Sequence, residues 1–210
     1  VIAEGFTVVI NCAAYTAVDK AESDNEKAHA VNATGAANLA RACVQHNVRL
    51  IHISTDFVFD GSINRPLKED DTTNPLSVYG ATKLEGERLV NSIDANAVIV
   101  RTAWVYSSIG NNFLKTMLRL FGERSSLNVV FDQIGTPTYA RDLAGALLTI
   151  ATAENWTPGI YHYSNEGVAS WYDFAVAIAR LSGSSVQLNP IETSGYPTPA
   201  HRPAYSVLNK

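Results

Sequence analysis

The chain has 210 residues, of which 46% are hydrophobic and 17% charged, and its formal net charge is -4. That length holds one domain or one and a half with a sizeable core, and the composition is ordinary for a globular chain. The mild charge, without a run of like-charged residues, excludes a nucleic-acid or anionic-membrane binder; no apolar run reaches bilayer length, and the first residues do not read as a signal peptide.

In chain order, strand and helix alternate. Residues 1–6 read as the end of a helix running into a strand. Residues 7–12 form a short β-branched apolar run, a buried strand, and Ala13-Ala14-Tyr15-Thr16 follows as a loop at its C-terminal end. Residues 22–31 and 34–46 read as two helices, with Ala37, Leu39, Ala40, Cys43 and Val44 at core spacing. Residues 48–53 are apolar on both faces, as in a parallel sheet, and end at Ser54-Thr55-Asp56. A turn-rich loop over 60–75 closes on Asn74-Pro75 and opens the helix that carries Tyr79 and Lys83. A strand over 97–100 is closed by Arg101-Thr102.

The second half reads as helix 112–121, strand 128–131, loop 135–138, helix 139–151 and strand 159–163. A helix over 170–181 starts with Ser170 and Asp173 in a capping-box pattern and stops at Gly183. A strand over 186–191 and an irregular proline-rich tail over 195–203 follow. This alternation predicts an α/β fold with a doubly wound, Rossmann-like parallel sheet. Residues 1–102 are expected to be the remainder of a dinucleotide-binding domain. Residues 103–210 are expected to be mainly a smaller C-terminal substrate lobe interleaved with the sheet. Neither G-x-G-x-x-G nor G-x-x-G-x-x-G occurs, so N-terminal βα units bearing the phosphate-binding turn are expected to be absent from this chain. Alone, it is expected to bind cofactor poorly and to expose apolar edges prone to aggregation.

Cys12 and Cys43 lie in apolar surroundings far apart in sequence and read as reduced and buried, hence cytoplasmic. The five histidines show no metal-ligand spacing. His52, inside an apolar strand, reads as a core histidine. Asp19 and Asp132 read as turn or backbone-capping residues, and Asn11 and Asn32 as fixers of backbone at element ends.

The chemistry gathers around Tyr79-Gly80-Ala81-Thr82-Lys83. On a helix the tyrosine and lysine share one face a turn apart, and an ammonium beside a phenol is expected to lower the phenol's pKa. Ligands of such sheets sit at the C-terminal strand ends, where Thr55 ends one strand and Arg101-Thr102-Ala103-Trp104 the next. A hydroxyl, a phenol and an ammonium converging on a carbonyl oxygen suit hydride transfer from a cofactor, with Tyr79 delivering the proton.

Ser54-Thr55 with Tyr79-x-x-x-Lys83 resembles the extended short-chain dehydrogenase/reductases. Within them the chain is similar to the dTDP-4-dehydrorhamnose reductase family, through six stretches: 11–22, 54–61, 75–87, 101–106, 132–138 and 202–208. The resemblance implies that Tyr79 is the general acid and that Lys83 holds the nicotinamide ribose. It implies that Thr55 binds the C4 oxygen of the sugar beside Asp56, and that Ala14, Tyr15 and Thr16 border NADPH or NADH. Trp104 would pack on the nucleotide sugar and Arg202 would approach its diphosphate. The implied reaction reduces the 4-keto group of dTDP-4-dehydro-L-rhamnose.

Phe57 stands where a tyrosine is frequent, and Asn209 where an aspartate is common. Arg141 stands where some relatives carry a glutamate at a magnesium-bridged dimer. An arginine is a poor ligand for Mg²⁺, so no metal is expected, and the chain is expected to be a monomer or a homodimer. The alternatives are a nucleotide-sugar epimerase or dehydratase, or a non-catalytic regulatory subunit with this fold. Phe57 follows the Thr-Asp pair where dehydratases carry an acidic residue, and the joint presence of Thr55, Tyr79 and Lys83 disfavours the subunit.

Overall fold

The computed structural model describes residues 5–210, so the helix end read at residues 1–4 lies outside the described residues. The elements run β1 (Val8–Asn11), α1 (Val18–Ala21), α2 (Asn25–His29), a π-helical stretch (Ala30–Gly35), α3 (Ala36–Gln45), β2 (Arg49–Thr55), α4 (Val78–Ile93), β3 (Val98–Thr102) and β4 (Val105–Tyr106). They continue with α5 (Phe113–Glu123), β5 (Ser126–Val130), β6 (Ile134–Gly135), β7 (Thr138–Tyr139), α6 (Ala140–Thr152), β8 (Gly159–His162), β9 (Ala169–Ser170), α7 (Trp171–Ser182) and β10 (Gln187–Ile191).

The central sheet is four-stranded and parallel, in the order β1-β2-β3-β8. Side chains alternate across a strand, and this sheet is apolar on both faces because helices cover both. Leu50 and Ile99 face Ala36, Ala40 and Cys43 of α3 and Val90 of α4. Ile51, Val98 and Val100 face Leu143 and Leu147 of α6. The sheet is therefore doubly wound, as the sequence predicts. β5 and β10 form a separate parallel pair, packed with α5 and α7 around Met117, Leu127, Val129, Ala175 and Ile178. The chain between them returns through β8 to the main sheet.

Four expectations are corrected. The two helices over 22–46 do not break near Asn32. A π-helical turn, which carries one extra residue, lets the chain run on and turns the Asn32 side chain toward its neighbours. The inward stripe of α3 is Ala36, Ala37, Ala40 and Cys43, whereas Val44 is 52% exposed. β1 is only half-buried at Val8, Val9 and Ile10, being the edge strand of the sheet among the described residues. Cys12, just past that edge strand, is exposed, whereas Cys43 is buried; both are free thiols. The tail is irregular but not loose. Leu67 and Leu208 form a parallel bridge, and Leu208 is buried with Val58, Phe59, Leu67, Leu84 and Ala103 beneath the strand ends.

α4 begins where Ser77 accepts a hydrogen bond from the Gly80 N–H at 3.1 Å and Glu22 accepts one from the Val78 N–H at 2.9 Å. Two donors that a helix start leaves unpaired are thereby satisfied. Further along, α4 presses on the π-helical stretch so closely that a Cβ at Gly86 would lie 2.2 Å from the Asn32 carbonyl oxygen. Gly86→Ala is therefore expected to destabilise the fold by about 1–3 kcal/mol, because a backbone atom cannot step aside. Gly145→Ala in α6, where a Cβ would meet no described atom beyond its own helix backbone within 4 Å, is expected to stabilise it by about 0.5–1 kcal/mol. Paired urea melts of the two variants check both signs.

Candidate active site

The C-terminal ends of β1, β2 and β3 form one edge, and α4 crosses behind it. On α4 the residues Tyr79, Lys83 and Glu87 recur every four positions and so lie on one stripe. Glu87, nearest the sheet interior, fixes that stripe. Ser54 and Arg101 are register partners on β2 and β3, so their side chains emerge side by side on the α4 face. Both converge on Glu87. The Ser54 hydroxyl donates to Glu87 Oε1. Arg101 donates from Nε at 3.0 Å and from Nη2 at 2.7 Å, in a fork geometry, with both side chains 3% exposed. The Arg101 guanidinium also lies 5.1 Å over the Phe59 ring.

One turn up, Lys83 is buried and donates to the Ile53 carbonyl of β2 at 2.5 Å. Burial brings its pKa down to about 8, against the opposing influence of Glu87 and Cys12. An ammonium has three donors, so the bond to Ile53 leaves others for a partner in front of it. His52 lies beneath, fully buried, with Nδ1 2.9 Å from Asn11 Nδ2. Burial, with Lys83 adding to it, takes its pKa down to about 3, so the ring is a neutral core histidine.

A further turn up is Tyr79. The Phe57 ring meets it edge-on, with centroids 5.6 Å apart at 75°. Burial pushes the phenol up to about 12; the Thr55 hydroxyl works against that rise and the Asp56 carboxylate adds to it. This is opposite to the lowering expected from the i, i+4 lysine. Lys83 directs its charge to the Ile53 carbonyl, and desolvation of the phenol outweighs the rest. Thr55 donates to Asp56 Oδ1 at 3.1 Å and accepts from the Phe57 N–H at 3.2 Å. Asp56 is buried, its Oδ2 has no partner among the described residues, and burial raises its carboxyl to about 6 against the lowering effect of Ser206 and Thr55.

Thr55, Asp56, Tyr79 and Lys83 thus gather at the end of β2. The loop bearing Ala14, Tyr15 and Thr16 is held beside them by Asn32, which accepts from the Tyr15 N–H at 2.8 Å and donates to the Tyr15 carbonyl at 3.2 Å and to Thr82 of α4 at 3.0 Å. Trp104 and Arg202 are engaged elsewhere. Trp104 stacks on Trp171, and Arg202 pairs with Asp19 at 2.8 Å while also bonding Thr198 and the Ala200 carbonyl. That pair ties the tail to α1, just past the 13–16 loop. Asp19 also accepts from the Ala200 N–H, and Asp132 from the Thr193 N–H, both backbone-holding tasks. Among the described residues no cluster of His, Cys, Asp or Glu could hold a metal ion, and no helix is long and apolar enough to cross a membrane.

Ser54, Glu87 and Arg101 form a unit that is not among the residues expected from the sequence. The signals were a charged residue inside an apolar strand and a glutamate continuing the four-residue stripe of α4. Asn32, expected at an element end, joins three segments from mid-helix.

The fold and this edge define a class first: a Rossmann-like α/β chain with a Thr–Tyr–Lys set at the C-terminal strand ends. The family described as RmlD substrate binding domain matches residues 1–210. The dTDP-4-dehydrorhamnose reductase of Aggregatibacter actinomycetemcomitans is 48% identical over 212 residues, covering 96% of this chain and 72% of that protein. The crystal structure of a dTDP-4-dehydrorhamnose reductase from Clostridium acetobutylicum superposes with a TM-score of 0.93 at 48% identity, over 97% of this chain and 71% of that one. A dTDP-4-dehydrorhamnose reductase from Bacillus anthracis, solved in complex with NADP, gives 0.93 at 40% identity, over 97% and 72%. The chain belongs to the RmlD substrate binding domain family.

The raised pKa of Asp56 carries a pH signature. A carboxyl at about 6 when folded and near 4 when unfolded penalises the fold above pH 6, and the penalty is relieved as pH falls from 6 to 4. Compared with Asp56→Asn, the unmutated protein is expected to gain on the order of 2–3 kcal/mol between pH 8 and pH 4. Denaturant melts of both proteins across that range measure the difference; a gap independent of pH would contradict it.

Proposed function

We propose that the protein bearing this chain reduces the 4-keto group of dTDP-4-dehydro-L-rhamnose with NADPH or NADH to give dTDP-L-rhamnose. The observation that carries the reading is the meeting of Thr55, Asp56, Tyr79 and Lys83 at one strand end, in a chain 48% identical to a protein named for that reaction.

When bound, the nicotinamide cofactor supplies the hydride. The residues present suit it. Lys83 has donors to spare for ribose hydroxyls, and the loop of Ala14, Tyr15 and Thr16 offers a half-open border beside it. Tyr79 is the general acid. A phenol lifted to about 12 is fully protonated near neutrality, which is the form that can donate to an oxygen gaining negative charge. The phenolate left behind lies one helix turn from the Lys83 ammonium. Thr55 donates a second hydrogen bond to the C4 oxygen after its hydroxyl turns from Asp56, a rotation about one bond. Asp56 borders the sugar. Trp104 offers its open edge to the nucleotide sugar, and Arg202 approaches the diphosphate from the tail by turning from Asp19.

The division into a cofactor part over 1–102 and a substrate part over 103–210 belongs to the same proposal, as does a cytoplasmic location, in keeping with two free cysteines. The test mixes the full-length gene product with dTDP-4-dehydro-L-rhamnose and NADPH and follows loss of nicotinamide absorbance. The expected result is turnover that falls by about 10²-fold or more in Tyr79→Phe. A variant as fast as the unmutated enzyme would overturn the role of Tyr79, and no turnover by folded protein would overturn the substrate.

A further inference from the structure

The segment Asp132–Thr138, D-Q-I-G-T-P-T, has no task in the reaction described, yet its polar side chains are all engaged. Asp132 and Gln133 both bond Thr193, Thr136 bonds the Gly167 carbonyl, and Thr138 reaches the Thr136 carbonyl. The common neighbour of this segment is Trp104. That residue sits at φ 47°, in the left-handed region that a bulky side chain rarely adopts. Its backbone is held from the segment, because the Thr138 N–H donates to the Trp104 carbonyl at 3.1 Å. Its indole lies so close to Gly135 that a Cβ there would stand 2.5 Å from the ring.

One face of the indole is closed by Trp171, the first residue of α7. The ring centroids are 3.5 Å apart and the planes differ by 5°. Isolated aromatic pairs prefer offset or edge-on contact to such a face-to-face sandwich, so the surroundings impose it. Trp171 donates its indole N–H to Gln133 Oε1 at 3.2 Å, Gln133 donates to Thr193 at 3.0 Å, and Phe113 packs on Trp171 with centroids 4.7 Å apart. Trp104 is therefore clamped by strained backbone, by Trp171 on one face and by Gly135 on the other, while its edge stays partly open.

We propose that Trp171 is a positioning residue for the nucleotide sugar. It occupies one face of Trp104 while Gly135 lies against the other, and so fixes the indole with its open edge toward the substrate. The inference rests on the reading above that Trp104 meets the substrate. It adds that recognition there depends on a residue that need not touch the substrate.

The test uses full-length enzyme with Trp171→Leu, Trp171→Phe and Trp104→Leu. Circular dichroism reads the signal of the coupled indoles, and kinetics read KM for dTDP-4-dehydro-L-rhamnose, kcat and KM for NADPH. Trp171→Leu is expected to lose the coupled signal and to raise the sugar-nucleotide KM roughly three- to tenfold, the size of one aromatic contact, with kcat and the cofactor KM within about twofold. Trp171→Phe is expected to restore most of that KM. An unchanged KM in Trp171→Leu, with a raised one in Trp104→Leu, overturns the role of Trp171. An unchanged KM in Trp104→Leu overturns the placement of Trp104 at the substrate, and the inference with it. If Trp171→Leu does not fold, Gln133→Leu, which releases the Trp171 N–H, serves instead: a raised sugar-nucleotide KM supports the role and an unchanged one overturns it.

Discussion

The buried pair of Glu87 and Arg101 is the constraint on which the site depends. Two charged groups leave water at the centre of an apolar sheet, a transfer that is costly unless the pair is well formed and further hydrogen-bonded. Here the fork of Arg101 meets both carboxylate oxygens and Ser54 adds a donor. Such a pair contributes little net stability over an apolar replacement, but it has a single geometry. It joins β2, β3 and α4, so it sets how far α4 slides along the sheet. Lys83 and Tyr79 follow from that setting, one and two turns away.

The second layer is polar and neutral. Asn32 holds the loop after β1 against α4, and Asn11 holds His52 in place under the same helix. Each is buried and each joins segments distant in sequence, between 17 and 50 residues apart for the bonds of Asn32 and 41 for that of Asn11. Breaking one would leave a buried polar group without a partner, a loss larger than the bond's own contribution. The proposed acid and its lysine are thus supported by groups that need not meet substrate.

How much of this was legible in the sequence follows from the range of the interactions. The strand–helix alternation, the capping box at Ser170 and the start of α4 are local, and they read correctly from spacing and composition. The Tyr79, Lys83 and Thr55 set was legible because one helix turn and one strand end suffice to gather it. The ion pair was not, since the register that brings Ser54 beside Arg101 is a property of the sheet. The direction of the Tyr79 shift was misread because spacing shows a neighbouring charge but not the burial that outweighs it. Val44 was misplaced because the apolar residues of α3 cover more than the one face that packs, and spacing alone does not separate Val44 from Ala40 and Cys43. Trp104 is expected from the resemblance to pack on the nucleotide sugar, and only the fold brings Trp171 onto it from 67 positions away, at the start of another helix.

The most direct test of the account is kcat of the Glu87→Gln, Arg101→Met double variant of the full-length enzyme, taken below its melting temperature. Removing both charges together spares the fold an unpaired buried ion, so the double variant is expected to be folded. Yet kcat is expected to fall at least about tenfold, because a misplacement of Tyr79 by a fraction of an ångström weakens proton delivery. A folded double variant with the kcat of the unmutated enzyme would show that the pair does not position α4, and the account would fail.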